Sequence, residues 1–392
     1  MKRSTLAIAA VLAMSSVQAA PVKIGFVTTQ TTGAAVIGKD MENAVNLAMT
    51  HLGGKAGNTP LEVIFADDGF KPEVGKQATD RLVKQDNVDF VAGYIWSHVL
   101  LASRKSALDN GKFLISANAG PSPMAGKLCH ENFFSTSWQN DQTPMALGEV
   151  LNKKGVKSVY IMAPNYAAGK DMVAGVERTF KGKIVGKDLT KWGADAQLDF
   201  SAELAKARES GAEALFVFYP GAAAGAFAKQ YDQSGLSKTL PLYSVFTIDA
   251  ISLPKLQAAN FQGVLGSRTT QEWDPSLDNA ANKKFVGDFK AQFGHYPSYY
   301  GAQAYDAIML IASAVKATNG NMQDKAAVRA ALKAANYDSV RGPYSYGNNH
   351  FPIQNFYLRE VVKDDQGVWT TKVVDTVYTN HQDPYATECA LK

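Results

Sequence analysis

Cysteine is nearly missing from this 392-residue sequence: there are two, Cys129 and Cys389. A disulfide-dense scaffold is excluded, and neither cysteine has a second ligand at the spacing a zinc site needs. The six histidines are scattered, with no pair four apart on a helix to hold a metal. The first turn, TTQTTGAAVIG, lacks the G-x-G-x-x-G of a dinucleotide site, and no G-x-x-x-x-G-K-[ST] phosphate loop occurs. Ser97 sits in GYIWSHV, which is not the G-x-S-x-G elbow of a hydrolase, and neighbouring His98 points another way on a helix start. The paired acids Asp67–Asp68 and Asp364–Asp365 read as turn or solvated residues. No enzyme site, metal or cofactor is therefore expected. Neither sign of charge dominates: 40 basic side chains stand against 36 acidic ones. That balance leaves no footprint for nucleic acid or an anionic membrane.

What the chain does have begins at its N-terminus. MKRSTLAIAAVLAMSSVQAAPVK places Lys2 and Arg3 before an apolar run, Leu6 to Met14, and then small residues around Ala19. This is the layout of a secretory signal peptide over residues 1–19, with cleavage after Ala19 or Ala20. The run is shorter than the roughly 20 residues a spanning helix needs, so a soluble, exported protein is expected. In an oxidising compartment Cys129 and Cys389 are expected to bond, tying the tail (381–392) back to a loop near the middle of the chain. Two free buried thiols are the alternative.

After residue 20 the chain alternates β-branched runs with amphipathic helical stretches. VKIGFV, LEVIFADD, DFVAGY and KFLISA read as one series of strands; KSVYIMAP, KIVGKDLT, ALFVFYP and PLYSVF read as a second. Continuous apolar strands separated by helices imply parallel sheets covered on both faces. GVLGSRT (Gly263–Thr269) is expected to lead back to the first unit. Three further helices, over 280–293, 300–318 and 324–335, and a closing antiparallel hairpin with KDDQG as its turn complete the reading. The fold class is α/β, with two Rossmann-like lobes in tandem. In such sheets ligands sit at the carboxyl ends of the strands, and a cleft between two facing sheets is a favoured site. Trp96-Ser97, Asn118-Ala119-Gly120, Asn165-Tyr166, Tyr219-Pro220 and Phe246 to Asp249 all fall at strand ends. They offer hydroxyls, amides and rings.

The order and spacing of GYIWSHVLLA, ISANAGPSPM, FFSTSWQNDQ, APNYAAGKDMVAGV, DFSAEL, FYPGAAAGAFAKQYDQSGL and YYGAQAYDAIML carry a resemblance. The chain resembles the solute-binding proteins of ABC importers of the Leu/Ile/Val-binding type. PNYAAGKD and WQNDQ are similar to a branch that often takes aromatic or other organic acids. The resemblance implies a clamshell of the type I periplasmic binding protein kind, working in the periplasm with a membrane permease as partner, as a monomer. It implies an N-terminal lobe of 20–140 plus about 270–340 and a C-terminal lobe of 141–269 plus about 341–380. A ligand-sensing partner of a membrane receptor with the same fold is the alternative role.

By the same resemblance Ser97 holds a ligand carboxylate, and Asn118, Ala119 and Gly120 lie along the same group, glycine replacing a threonine hydroxyl. Tyr166 and Tyr219 close from the other lobe, and the loop Phe246–Asp249 covers the position where amino-acid binders set an acid against the ammonium. The physics of Ser97 stands apart from the resemblance. A serine at a helix start offers a hydroxyl, free N–H groups and the positive end of the helix dipole. As a bare N-cap it is worth roughly 1 kcal/mol. Trp96 is expected either in the core or as a wall of the cleft. The ligand is expected to be a branched-chain or hydrophobic amino acid, or an aromatic acid, with Asp249 deciding between them.

Overall fold

The computed structural model describes residues 20–193 and 196–391; the expected signal peptide lies outside them. The first sheet holds β1 (Val22–Thr28), β2 (Lys55–Ala56), β3 (Thr59–Asp67), β4 (Phe90–Gly93), β5 (Phe113–Ser116) and β6 (Phe133–Ser135), in the order β2-β3-β1-β4-β5-β6. All its pairings are parallel except the short β2–β3 contact. Every residue of β4 and β5 is buried, as parallel strands roofed by helices on both sides require. The intervening helices are α1 (Ala35–Leu52), α2 (Pro72–Lys84), α3 (Ser97–Leu108) and the single turn α4 (Ser122–Ala125). Helix α2 opens on Pro72, whose missing N–H costs nothing in a first turn.

The chain then crosses into a second unit through α5 (Gln142–Lys153). There follow β7 (Ser158–Pro164), α6 (Ala167–Thr179), β8 (Lys183–Thr190), α7 (Ser201–Glu209), β9 (Ala214–Phe218), α8 (Ala222–Gln233), β10 (Leu242–Val245), α9 (Leu253–Ala258) and β11 (Arg268–Gln271). The expected strand at Gly263 starts later than the sequence suggests, because 262–264 form a 3-10 turn. Helices α10 (Ala280–Phe293), α11 (Tyr299–Ala317) and α12 (Lys325–Ala334) return to the first unit, α10 and α11 packing on α1 and α12 on α11. Their starts are fixed by Asn279, Ser298 and Asp324, whose side chains accept N–H bonds from the first turn. Finally β12 (Ser345–Tyr346), β13 (Pro352–Lys363) and β14 (Trp369–His381) extend the second sheet, whose order is β12-β13-β11-β10-β9-β7-β8 with β14 beside β13. The hairpin turn is closed by Asp364, which accepts from the N–H groups of Gln366 and Val368.

Three chain crossings therefore join the units. The buried Arg341 guanidinium pins them: it pairs with Asp306 of α11 at 3.2 Å and donates to the carbonyls of Thr136 and Ser137 and to Gln354. A buried ion pair of this kind is weak evidence for stability and better read as fixing geometry. A fourth link is covalent. Cys129, in the loop after α4, is bonded to Cys389, beyond β14. Among the described residues no helix is long and apolar enough to cross a membrane.

Candidate functional site

The turn from β4 into α3 is forced by its residues. Gly93 has φ +107°, and a Cβ there would lie 2.1 Å from the Val27 carbonyl oxygen, so no other residue fits. Tyr94 follows at φ 67°, a conformation costly for a large side chain, held by its hydroxyl bond to Thr79 at 2.6 Å. The result delivers Trp96 and Ser97 to the sheet's carboxyl edge. Trp96 is 1% exposed and donates from Nε1 to Thr29 at 2.8 Å, yet its ring also lines the cleft. Core and wall turn out to be one position. Trp96 is the N-cap of α3 and Ser97 its first helical residue, so the hydroxyl does not cap the helix. Instead Ser97 Oγ accepts a bond from Asn140 Nδ2 at 3.1 Å.

Helix α6 faces it from the other unit. Its N-cap is Tyr166, and no side chain among the described residues caps either α3 or α6. The two helix starts border one small, nearly filled space of about 20 Å³. That is room for about one water, well below small-molecule sites of about 300 to 1,000 Å³, so a solute needs these walls to part. From the first unit come Ile95, Trp96, Ser97, Asn118, Ala119 and Tyr300; from the second, Ala168, Met172, Phe218, Pro220, Phe246 and Tyr166. Trp138 and Asn140, on the first crossing, complete the lining. Phe246 stacks on Trp138 with ring centres 4.6 Å apart, at φ 54°.

No acidic or basic side chain is among the described residues lining this space. His98, just beside it, is pushed down to about 4 by burial, so its imidazole is neutral at neutral pH. Positive potential therefore comes from backbone N–H groups at two helix starts, the arrangement that binds anions. Two buried polar atoms of the lining lack partners among the described residues. Asn118 donates through Nδ2 to the Ile95 carbonyl at 2.6 Å, leaving Oδ1 free, and Trp138 Nε1 bonds nothing. Outside lies a more open space of about 380 Å³, within the small-molecule range, that shares Trp96 and Pro220 with the inner one. Between them Trp192 stacks on Tyr166 at 5.4 Å and meets Phe70 edge-on at 5.5 Å.

Six of the nine positions expected at the ligand thus meet in one cavity: Trp96, Ser97, Asn118, Ala119, Tyr166 and Phe246. Three do not. Gly120 stands one residue back, its N–H bonding Asn140 Oδ1 at 3.2 Å. A Cβ on it would strike the Trp138 carbonyl, which accounts for the absent hydroxyl side chain. Tyr219 turns into the second unit's own core, against Phe200 and Phe227, with its hydroxyl bonded to Thr190. Period-two alternation along β9 points its neighbours Phe218 and Pro220 at the cleft instead. Asp249 is held by its own loop, accepting from the N–H groups of Ile251 and Ser252, in a separate small cavity beside Ser298, Tyr299 and Arg359. It is not an acid facing the main site. Sequence reasoning missed Trp138, Asn140, Phe218 and Tyr300. The first two follow β6, a strand only three residues long, and all but Phe218 lie where no strand end was apparent.

The chain matches the model of the periplasmic binding protein family over residues 21–366. It belongs to that family. A Leu/Ile/Val-binding protein homologue from Brucella abortus is 29% identical, the match covering 98% of this chain and 99% of the relative. Among solved structures, a solute-binding protein of an ABC transporter from Rhodopseudomonas palustris in complex with benzoate superposes with a TM-score of 0.87 at 28% identity. That match covers 95% of this chain and 100% of the other. A second, from strain BisB5 in complex with 3,4-dihydroxybenzoic acid, gives 0.84 at 28% identity, covering 93% and 99%. A branched-chain amino acid transporter substrate-binding protein from Streptococcus pneumoniae, in complex with isoleucine, shares the fold at 22% identity and a TM-score of 0.78. This binding protein is thus a two-lobed type I clamshell, and its family and neighbours are solute-binding proteins, not enzymes.

Proposed function

We propose that this binding protein is the periplasmic solute-capturing component of an ABC importer, acting as a monomer, and that its solute is a small aromatic carboxylate. One observation carries the choice of solute: two uncapped helix starts meet across a cavity in which no described acid is present to take an ammonium. An amino acid would bury its ammonium among aromatic rings without a counter-charge, at a cost of several kcal/mol. A benzoate-like ion needs only a carboxylate site and apolar walls, and Trp96, Trp138, Phe218 and Phe246 supply the walls. The orphaned Asn118 Oδ1 and Trp138 Nε1 suit a ring hydroxyl, which can donate to one and accept from the other. The solute complexes of the two Rhodopseudomonas relatives support the same class.

Calorimetry of the purified protein with benzoate, 4-hydroxybenzoate, 3,4-dihydroxybenzoate, leucine and isoleucine tests the reading. The aromatic acids are expected to bind and the amino acids not to. Isoleucine binding with no response to any benzoate overturns it.

A further inference from the structure

Asp171, on α6 of the second unit, does not line the cavity, yet it bonds residues on the far side of it. Its Oδ2 accepts from the Ser122 N–H at 3.1 Å and from Asn140 Nδ2 at 2.9 Å, and its Oδ1 from the Ser122 hydroxyl at 2.9 Å. Asn140 Oδ1 accepts from the Gly120 N–H, and the other Nδ2 hydrogen goes to Ser97 Oγ. Both amide hydrogens of Asn140 are therefore committed and its oxygen is bonded, so the amide can point only one way. Because Ser97 Oγ already accepts from Asn140, its own hydrogen is the one left to donate, and it meets no acceptor among the described residues. The chain of bonds runs from the second lobe to the anchor of the proposed carboxylate site.

We infer that Asp171 is a positioning residue: on lobe closure it seizes Asn140, which orients the Ser97 hydroxyl toward a bound carboxylate. The inference rests on the proposed carboxylate ligand. It makes closing and anchoring a single coupled event, since the contact that holds Asn140 comes from the opposite lobe and parts when the lobes separate.

The test is a double-mutant cycle read by calorimetry with benzoate on wild type, Asp171→Ala, Ser97→Ala and the double variant. Small-angle X-ray scattering with and without benzoate follows closure. Asp171→Ala is expected to bind benzoate about tenfold more weakly and to contract less, with an unchanged melting temperature in the ligand-free protein. In the Ser97→Ala background the same change is expected to cost much less. Ser122→Ala, which removes a closing bond but leaves the Asn140 bond, is expected to be additive with Ser97→Ala. Wild-type affinity in Asp171→Ala, or strict additivity with Ser97→Ala, overturns the inference. A wild type that binds isoleucine and not benzoate overturns the aromatic-acid reading alone; the same cycle is then run with isoleucine, where additivity overturns the positioning role. A wild type that binds neither overturns both.

Discussion

Replacing Ser97 by alanine isolates the helix-start anchor. The hydroxyl accepts from Asn140 and does not cap α3, so its loss should leave the ligand-free fold nearly untouched. In the complex it removes one hydrogen bond to a charged group, worth about 1.5–3 kcal/mol. Converted at about 1.4 kcal/mol per tenfold, the benzoate dissociation constant should rise about 10- to 150-fold. The neutral isostere benzamide provides the control, because a neutral hydrogen bond is worth only about 0.5–1.5 kcal/mol and its loss should be several times smaller. Titration calorimetry gives both constants, and a melting curve of the free protein separates binding from folding. Equal losses for benzoate and benzamide, or an unchanged benzoate affinity, would refute the anchor. A drop in melting temperature matching a lost cap, about 1 kcal/mol, would return Ser97 to a purely structural role.

The disulfide and a buried histidine give two further tests. Cys129 and Cys389 are 260 residues apart, for which the loop-entropy relation gives a ceiling of about 5–6 kcal/mol. Serine at both positions is expected to lower unfolding stability by about 2–5 kcal/mol in a urea titration while leaving benzoate affinity within twofold; a midpoint equal to wild type would refute the strap. His350 is pushed down to about 4 by burial against Phe134, its Nδ1 bonded to the Phe133 carbonyl. The unfolded chain binds a proton near pH 6.5 and the folded chain does not until about 4, so this residue removes stability as pH falls through that window. By pH 5 the loss is about 2 kcal/mol from this group. Asparagine tolerates the φ of 58° found there. The stability gap between wild type and His350→Asn should therefore narrow by about that amount between pH 7 and pH 5, and a gap independent of pH would refute it.

Much of this architecture could be read from the sequence for a physical reason. Strands buried on both faces are continuous apolar runs, and ALFVFYP or KFLISA cannot be much else. Strand ends then localise the cleft, which is why Trp96, Ser97, Asn118 and Tyr166 could be named beforehand. Side-chain direction within a strand-end loop is another matter. Tyr219 and Phe218 are adjacent, and a single step decides which of them faces the cleft. Asp249 is diverted by a local turn bond to Ile251 that composition does not reveal. Trp138 and Asn140 escape because the β6 strand is too short to display a period, and the Asp171 contact because partners on opposite lobes leave no mark in either local pattern.

The sulfur link has a temporal meaning as well as a mechanical one. Every strand from β6 to β14 lies in sequence between Cys129 and Cys389. Cys129 must wait, during synthesis, until almost all of both sheets has emerged before its mate exists. The bond therefore cannot steer assembly; it registers that assembly has been completed and fastens the outcome.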